Sequence, residues 1–386
     1  MELKQIDQAY LANTYVKFPV EVVSGKGSEV WDETGRRYID LTGGVGVTSF
    51  GVADDAWLQA VTAQLGRVQH MSNLYYTAPP ALLARQLCTR TGMKRVFFSN
   101  SGGEANECAI KVARKYAAEK KGADCFTILT LQNGFHGRTI TTLAATGQDH
   151  YHELFQPLTP GFVHVRAGDL DGARALARTH RLAAIMIECI QGEGGVVPLE
   201  REFVQGLAAL AAQEDLLLIV DEVQTGNGRT GALYAYMNYG VRPDIVSTAK
   251  GLGGGLPLGA TLLGEKVEST LGPGDHGSTF GGNPVCCAGA LSVLERIDDA
   301  LLADVRAKGD YLFRTFTGAP GVEAVTGMGL MVGVKPVKPA AEVVRACLEQ
   351  GVLCLTAKDK VRLLPALNIP MELLEQAAAV ILAACA

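Results

Sequence analysis

The chain has 386 residues, long enough to bury a large core and to divide into two domains. Apolar residues make up 48% and charged residues 19%, which excludes a disordered chain. Its 35 Lys and Arg against 40 Asp and Glu give a formal charge of −5, and with no basic tract this argues against nucleic acid and for a small-molecule partner.

The opening MELKQIDQAY has neither the basic start nor the apolar run of a signal peptide. No uninterrupted apolar stretch reaches the roughly eighteen residues of a membrane span, so no membrane partner is expected. Nine cysteines, an odd number scattered without paired metal-site spacing, predict reduced thiols in a cytoplasmic protein with no metal site. The adjoining Cys286 and Cys287 read as small buried helix residues.

In chain order, residues 1–49 read as an opening helix followed by short strands around 20–23, 29–32 and 38–41, with turns at 25–27 and 34–35. From about residue 50, helical and strand patterns alternate, the signature of a parallel sheet with crossover helices. A strand at 96–100 runs into SGGEANECAIKVARKY, where Ala105, Cys108, Ala109, Val112, Ala113 and Tyr116 keep helical spacing on one face. The helix therefore starts at the glycines. A helix start offers free N–H groups and a positive dipole end, so Ser101, Gly102 and Gly103 form a candidate anion cradle.

The next strand, 126–131, ends at NGFHGRT, where Phe135 and His136 can each offer a ring face and Arg138 a fork of donors suited to a carboxylate. The nearby DHYHE carries His150 and His152, which mimic a metal pair, but no further ligand spacing supports one. LAAIMIECIQGEGGVVP at 182–198 is a buried strand with a glycine turn after it, and it places Glu188 and Glu193 past its centre.

Residues 216–220 form an unbroken apolar run, read as a strand buried on both faces, with Asp221 at its C-terminal end. A second short strand, 244–248, delivers Lys250 into a glycine-rich loop. Open α/β sheets bind ligands beyond the carboxyl ends of their strands, so Asp221 and Lys250 can face one ligand. The chemistry this suits is a Schiff base between Lys250 and pyridoxal phosphate, with Asp221 paired to the protonated pyridine nitrogen. That ion pair keeps the ring cationic and makes it an electron sink.

PGDHGSTFGGNP at 273–284 is too rich in glycine for regular structure, and such a loop inside a domain is usually functional. From about 285, a long helix, a strand around GLMVGVK, a helix near 340–350 and the strands GVLCLT and VRLLP suggest a smaller α+β lobe. The expected division is a large domain over 50–285 and a small one formed by 1–49 and 286–386.

DEVQTGxGRTG, then PDI, then AKGLGGGxPxGA resemble the core of the class III (fold type I) aminotransferases, particularly the acetylornithine and ornithine aminotransferases. The likeness extends over nearly the whole chain, through NTYVKFP, WDETGRRYIDL, SGxEANExAIKxAR, NGFHGRT, QGExG and VRLLPAL. It implies an α/β fold of fold type I, with a large domain built on a mostly parallel central sheet flanked by helices and a smaller discontinuous α+β domain. It also implies pyridoxal 5'-phosphate as cofactor. Ser101, Gly102 and Gly103 would hold the phosphate, Phe135 and Val223 would cover the two ring faces, and Gln224 would bind the 3-hydroxyl. Thr279 would reach the phosphate of a neighbouring subunit across a homodimer with shared sites, and Ser278 would lie near substrate.

For the substrate, the resemblance implies Tyr15 at the mouth, Arg138 and Arg362 on carboxylates, and Glu193 paired with an arginine when no substrate carboxylate is present. Three positions depart from the family: Gly103 where Thr, Ala or Val is usual, Cys189 in place of proline, and Val52 in place of histidine. NTYxxFP, SNLYYT and GDHGSTFGGNP resemble the acetylornithine enzymes most. The implied reaction is δ-transamination of N-acetylornithine with 2-oxoglutarate, giving N-acetylglutamate 5-semialdehyde and glutamate in arginine biosynthesis. Free ornithine, succinylornithine and acetylated lysine-pathway intermediates are alternative donors. An isomerase of the glutamate-1-semialdehyde aminomutase type, which needs no 2-oxoglutarate, is an alternative of a different class.

Overall fold

Apolar runs of four to six residues assemble one seven-stranded sheet in the computed structural model, which describes residues 3–386; Met1 and Glu2 lie outside the described residues. The strand order is Arg95–Ser99, Gly259–Leu263, Ile245–Thr248, Leu217–Asp221, Leu182–Ile187, Thr127–Leu131, Phe162–Val165. Gly259–Leu263 is antiparallel to both neighbours and the remaining pairs are parallel, so the sheet is mostly parallel.

The two central strands, Leu182–Ile187 and Leu217–Asp221, are buried at every residue because helices cover both faces. Alternation divides their side chains between those faces. Ala184, Met186, Leu217 and Ile219 pack with Cys108, Ala109, Val112 and Ala113 of the helix Gly102–Lys121. Ile185, Ile187, Leu218 and Val220 face the other way, into the core shared with Phe203, Val204 and Leu207 of the helix Arg201–Gln213.

A second core gathers Ile39 and Leu41 with buried residues between 305 and 385. Its antiparallel sheet runs Val322–Met328, Met331–Pro336, Lys360–Leu363, Leu355–Ala357. The N-terminal strands Val22–Lys26, Glu29–Asp32 and Arg37–Asp40 are joined to this C-terminal part by Val352–Leu353, which pairs parallel with Arg37–Asp40. The helix Pro284–Arg296 does not join that second core. It buries Cys286, Cys287, Ala290, Val293 and Leu294 in the larger one, so the break in pattern near residue 285 marks the end of a loop and not a change of core. Asn283 starts the helix by accepting from the amides of Val285 at 2.9 Å and Cys286 at 3.2 Å.

The dipeptide after Val220 does two different things. Asp221 ends the strand facing a cavity, whereas Glu222 is fully buried and accepts from Thr225 Oγ1 at 2.6 Å and the amides of Ala235 at 2.9 Å and Tyr236 at 2.8 Å. Burial pushes its carboxyl up to about 7. Glu222 thereby pins the loop that follows the strand. Glu222→Ala strands three donors in a dry interior and is expected to cost about 3 kcal/mol or more, read as a lowered urea midpoint with an unchanged slope.

Candidate active site

A cavity of about 360 Å³ opens beyond the carboxyl ends of the parallel strands. One wall is the start of the helix Gly102–Lys121. Ser101 caps it by accepting from the Glu104 amide at 3.2 Å, which leaves the amides of Gly102 and Gly103 without an intrahelical acceptor at the cavity wall. A Cβ on residue 102 would lie 2.6 Å from Val223 Cγ1, so glycine is what allows the helix start and Val223 to approach. At Gly103 a Cβ would meet nothing nearer than Ser101 Oγ at 3.9 Å. That departure leaves open space, and the backbone cradle stands without it.

The second wall is Asp221, 4% exposed. Its Oδ2 accepts from Asn106 Nδ2 at 2.7 Å and lies 2.9 Å from His136 Nδ1, and its Oδ1 accepts from the Val223 amide at 3.0 Å. Burial opposes charge on His136, but Asp221 and then Glu188 outweigh it and hold the imidazole above its ordinary pKa. His136 lines the cavity as well as Phe135, and its Nδ1 is turned to Asp221 as that carboxylate's partner. Phe135 stands at the same wall, with its amide donating to Glu188 Oε2 at 2.9 Å. Glu188 is also buried, which pushes its carboxyl up to about 7.

Sequence reading missed Asn106. Its signal was an amide heading a row of buried apolar positions, Ala109, Ile110 and Ala113, where a polar side chain needs a buried partner.

Lys250 enters from the loop after Ile245–Thr248 with φ +46°, a left-handed conformation that costs a non-glycine residue on the order of 1–3 kcal/mol. Its neighbours hold it there. Asn227 Nδ2 donates to the Ala249 carbonyl at 3.2 Å, and Ser49 Oγ to the Gly251 carbonyl at 2.9 Å. Burial lowers the Lys250 pKa from the ordinary lysine value; Glu193 and Asp221 oppose that, and Arg362 adds to it.

Arg362, 5% exposed, closes the group with Nη1 2.5 Å from Glu193 Oε1. Gln224 Nε2 donates to the same oxygen at 3.2 Å. Burial opposes the Glu193 charge but Arg362 outweighs it, so the carboxyl sits below its usual range. Arg362 Nε is buried and has no hydrogen-bond partner among the described residues.

Ser101, Gly102, Gly103, Phe135, Asp221, Val223, Gln224 and Lys250 therefore line one space, with Glu193 and Arg362 bonded to it through Gln224. Other expected residues lie elsewhere. Arg138 is exposed, its guanidinium over the rings of Tyr151 and Phe135. Ser278 and Thr279 line a separate open cavity with Asn73 and His276, and Ser278 Oγ accepts from Asn100 Nδ2 at 3.1 Å. Tyr15, 77% exposed, lines a groove with Phe18 and Val20 and is not brought to the Lys250 cavity. His152 Nε2 lies 2.8 and 2.7 Å from the carbonyls of Leu143 and Thr146, while His150 packs on Tyr151, so the two histidines do not converge on a shared ion.

This donor set fits pyridoxal phosphate. Open helix-start amides could take the phosphate, Asp221 a ring N–H, and the Lys250 amine the aldehyde. The sequence model of the family described as aminotransferase class-III matches residues 10–385. The chain belongs to the class-III aminotransferases.

Acetylornithine aminotransferase of Haemophilus ducreyi is 51% identical to it over 382 residues, 98% of this chain and 97% of that one. The enzyme of the same name from Methanocaldococcus jannaschii is 42% identical over 373 residues, 95% and 94% of the two chains. Among solved structures, ornithine aminotransferase from Toxoplasma gondii ME49 matches with a TM-score of 0.94 at 32% identity, covering 99% of this chain and 94% of that one. N-acetylornithine aminotransferase from Stenotrophomonas maltophilia K279a matches at 0.86 and 34%, covering 99% and 98%.

Class-III aminotransferases use pyridoxal phosphate, and this enzyme is a pyridoxal-phosphate-dependent aminotransferase with an α/β fold of that type. When bound, the cofactor supplies a ring that takes up the electron pair left as a proton leaves the substrate carbon.

Gly102→Ala is expected to displace Val223 and weaken pyridoxal phosphate binding about tenfold, with Gly102→Ala/Val223→Ala recovering most of the loss in an absorbance titration. Cofactor uptake needs the neutral Lys250 amine, so its rate rises with pH through the Lys250 pKa. Glu193→Gln removes the strongest influence favouring the charged amine and leaves Arg362 unbalanced. Its uptake profile is therefore expected to move to lower pH in stopped-flow absorbance; a profile that moved up would contradict the charge assignment.

Proposed function

We propose that the enzyme moves the δ-amino group of N-acetylornithine to 2-oxoglutarate, giving N-acetylglutamate 5-semialdehyde and glutamate as a step of arginine biosynthesis. The observation that carries this reading is the pair that buried Arg362 makes with half-buried Glu193. Glutamate has a carboxylate beside its reacting carbon, and an ω-amino donor has none there. Arg362 must then bind a carboxylate in one half-reaction and do without one in the other. An uncompensated buried charge costs about 3–5 kcal/mol, so an internal acid that neutralises Arg362 and moves aside makes both half-reactions possible. Glu193 is that acid. The relatives named acetylornithine aminotransferase, up to 51% identical over nearly the full chain, support the choice of donor.

In this reading Lys250 holds the cofactor and, once released as a neutral amine, its Nζ takes the proton from the substrate carbon. Burial favours that neutral form. Asp221, held as an acceptor by Asn106, His136 and Val223, would pair with the ring nitrogen. Ser101, Gly102 and Gly103 would hold the phosphate, Phe135 and Val223 the ring, and Gln224 the 3-hydroxyl. Arg138 takes the substrate carboxylate remote from the reacting carbon in both half-reactions.

We also propose a homodimer in which Thr279 and Ser278 complete the neighbouring subunit's site. Their placement on a loop that lines a separate, open cavity supports this. The domain division belongs to the same proposal, with residues 1–49 joining the C-terminal part through the Val352–Leu353 pairing and Pro284–Arg296 kept with the large domain. Nine unpaired thiols are consistent with a reducing, cytoplasmic setting. Among the described residues no helix is long and apolar enough to cross a membrane.

Free ornithine is the second reading, favoured by the TM-score of 0.94 to an ornithine aminotransferase. The specificity constants for acetylated and free ornithine decide between them, and a strong preference for free ornithine would overturn the first. Glu193→Ala is expected to lower kcat/KM for the ω-amine donor about tenfold more than for glutamate in single-turnover half-reactions. Equal losses would remove the case for an internal counter-ion.

A further inference from the structure

The two arginines assigned to carboxylates are kept in opposite ways. Arg362 is buried against Glu193, whereas Arg138 makes no hydrogen bond or ion pair among the described residues. Its guanidinium carbon instead lies 4.1 Å from the centroid of the Tyr151 ring and 5.5 Å from that of Phe135. Tyr151 comes from DHYHE, the segment whose histidines serve no shared ion.

The segment is built to hold that ring still. Tyr151 ends the short turn Asp149–Tyr151, and its amide donates to the Gln148 carbonyl at 3.1 Å. Gln148 Nε2 donates to the Gly134 carbonyl at 3.1 Å, in the turn just before Phe135. On the other flank the His152 ring is fixed to the carbonyls of Leu143 and Thr146. The His150 ring packs tilted against Tyr151, 3.8 Å between ring centroids at 42°, and Phe135 meets Tyr151 edge-on at 6.1 Å and 71°.

We infer that Tyr151 is a positioning residue for substrate carboxylate recognition, holding Arg138 in place over its ring while leaving the guanidinium free to bind. The inference rests on the proposed reading of Arg138. An acid in that place would compete with the incoming carboxylate and have to be displaced on every turnover. An aromatic face attracts the cation without accepting its N–H groups, so the fork remains open for two parallel hydrogen bonds. Holding a long, exposed side chain in one place also lowers the entropy lost when substrate binds. Arg138 is used in both half-reactions, so a permanently open anchor suits it, and a replaceable counter-ion suits Arg362.

The holoenzyme carrying Tyr151→Leu tests this against Tyr151→Phe and Arg138→Ala, using acetylornithine, glutamate and a primary amine with no carboxylate. Tyr151→Leu is expected to raise KM about three- to tenfold for both carboxylate substrates with kcat within about twofold, and to leave kcat/KM for the plain amine unchanged. Tyr151→Phe keeps the ring and should behave as the parent enzyme. Should Tyr151→Leu fail to fold, Tyr151→His, with a smaller ring face, is expected to give a smaller rise in the same two KM values. An unchanged KM, an equal loss with the plain amine, or failure of Tyr151→Phe to restore the parent values would overturn the inference. If Arg138→Ala leaves KM for both carboxylate substrates unchanged, the reading of Arg138 falls instead. If Arg138→Ala raises them and Tyr151→Leu does not, the role of Tyr151 alone falls.

Discussion

A charge taken out of water must be matched, and the cavity at the carboxyl edge of the sheet brings together more charge than a single pair can match. Lys250 and Arg362 are the buried cations, and Asp221 and Glu193 the acids that face them, with Glu188 behind Phe135. Each acid is assigned by its hydrogen bonds. Asp221 is satisfied by Asn106, His136 and the Val223 amide, so it stays where it is. Glu193 is held by Arg362 and Gln224, two side chains that can turn to other acceptors. Among the described residues Lys250 has no acid within salt-bridge distance, and burial outweighs the more distant Glu193 and Asp221 and lowers its pKa. The acid held by three donors, the acid proposed to exchange partners and the amine whose pKa is lowered are three outcomes of one constraint.

Backbone geometry enforces the arrangement. The helix start and the loop after Asp221 come so close that residue 102 has no room for a Cβ, which joins the candidate phosphate end to Val223. Lys250 is held at φ +46° between two carbonyls, Ala249 and Gly251, that are tied by Asn227 and Ser49. Ser49 precedes the helix Asp55–Leu65 and Asn227 lies in the loop pinned by Glu222. Strain at one residue is thus carried by segments far apart in sequence.

Much of this was legible in the sequence wherever one residue's position alone decides its role. Short apolar runs between charges mark buried strands, and the residue following such a run lies at the ligand edge, which is how Asp221 and Lys250 are found. Glycines ahead of a helical period give the anion cradle. Properties that depend on two distant segments meeting were not legible. That His136 and Asn106 would share one carboxylate oxygen is seen only once the fold brings Asp221 beside them. The helix Pro284–Arg296 has a face of small residues, Cys287 and Ala290 among them, that suits either core; which one it joins is set by its packing beside Trp57. Tyr15 and Thr279 line cavities other than that of Lys250, and Ser278 reaches it only through its bond to Asn100; in the proposed homodimer they would act on a second copy, which no spacing rule within one sequence can place.

The pattern of partners at the two arginines carries a general consequence for an enzyme of this kind. Specificity for two unlike substrates is achieved when the part of the site that sees their common group is constant and the part that sees their difference can exchange partners. A π face suits the constant part because it leaves the cation's donors unspent. A carboxylate suits the exchanging part because it copies the ligand it replaces, in charge and in geometry. In the proposed reaction the common group is the remote carboxylate and the difference lies at the reacting carbon. Arg138 over Tyr151 and Arg362 against Glu193 would then divide the recognition between an open anchor and an occupied one, with the Arg362–Glu193 pair on the side where the substrates differ.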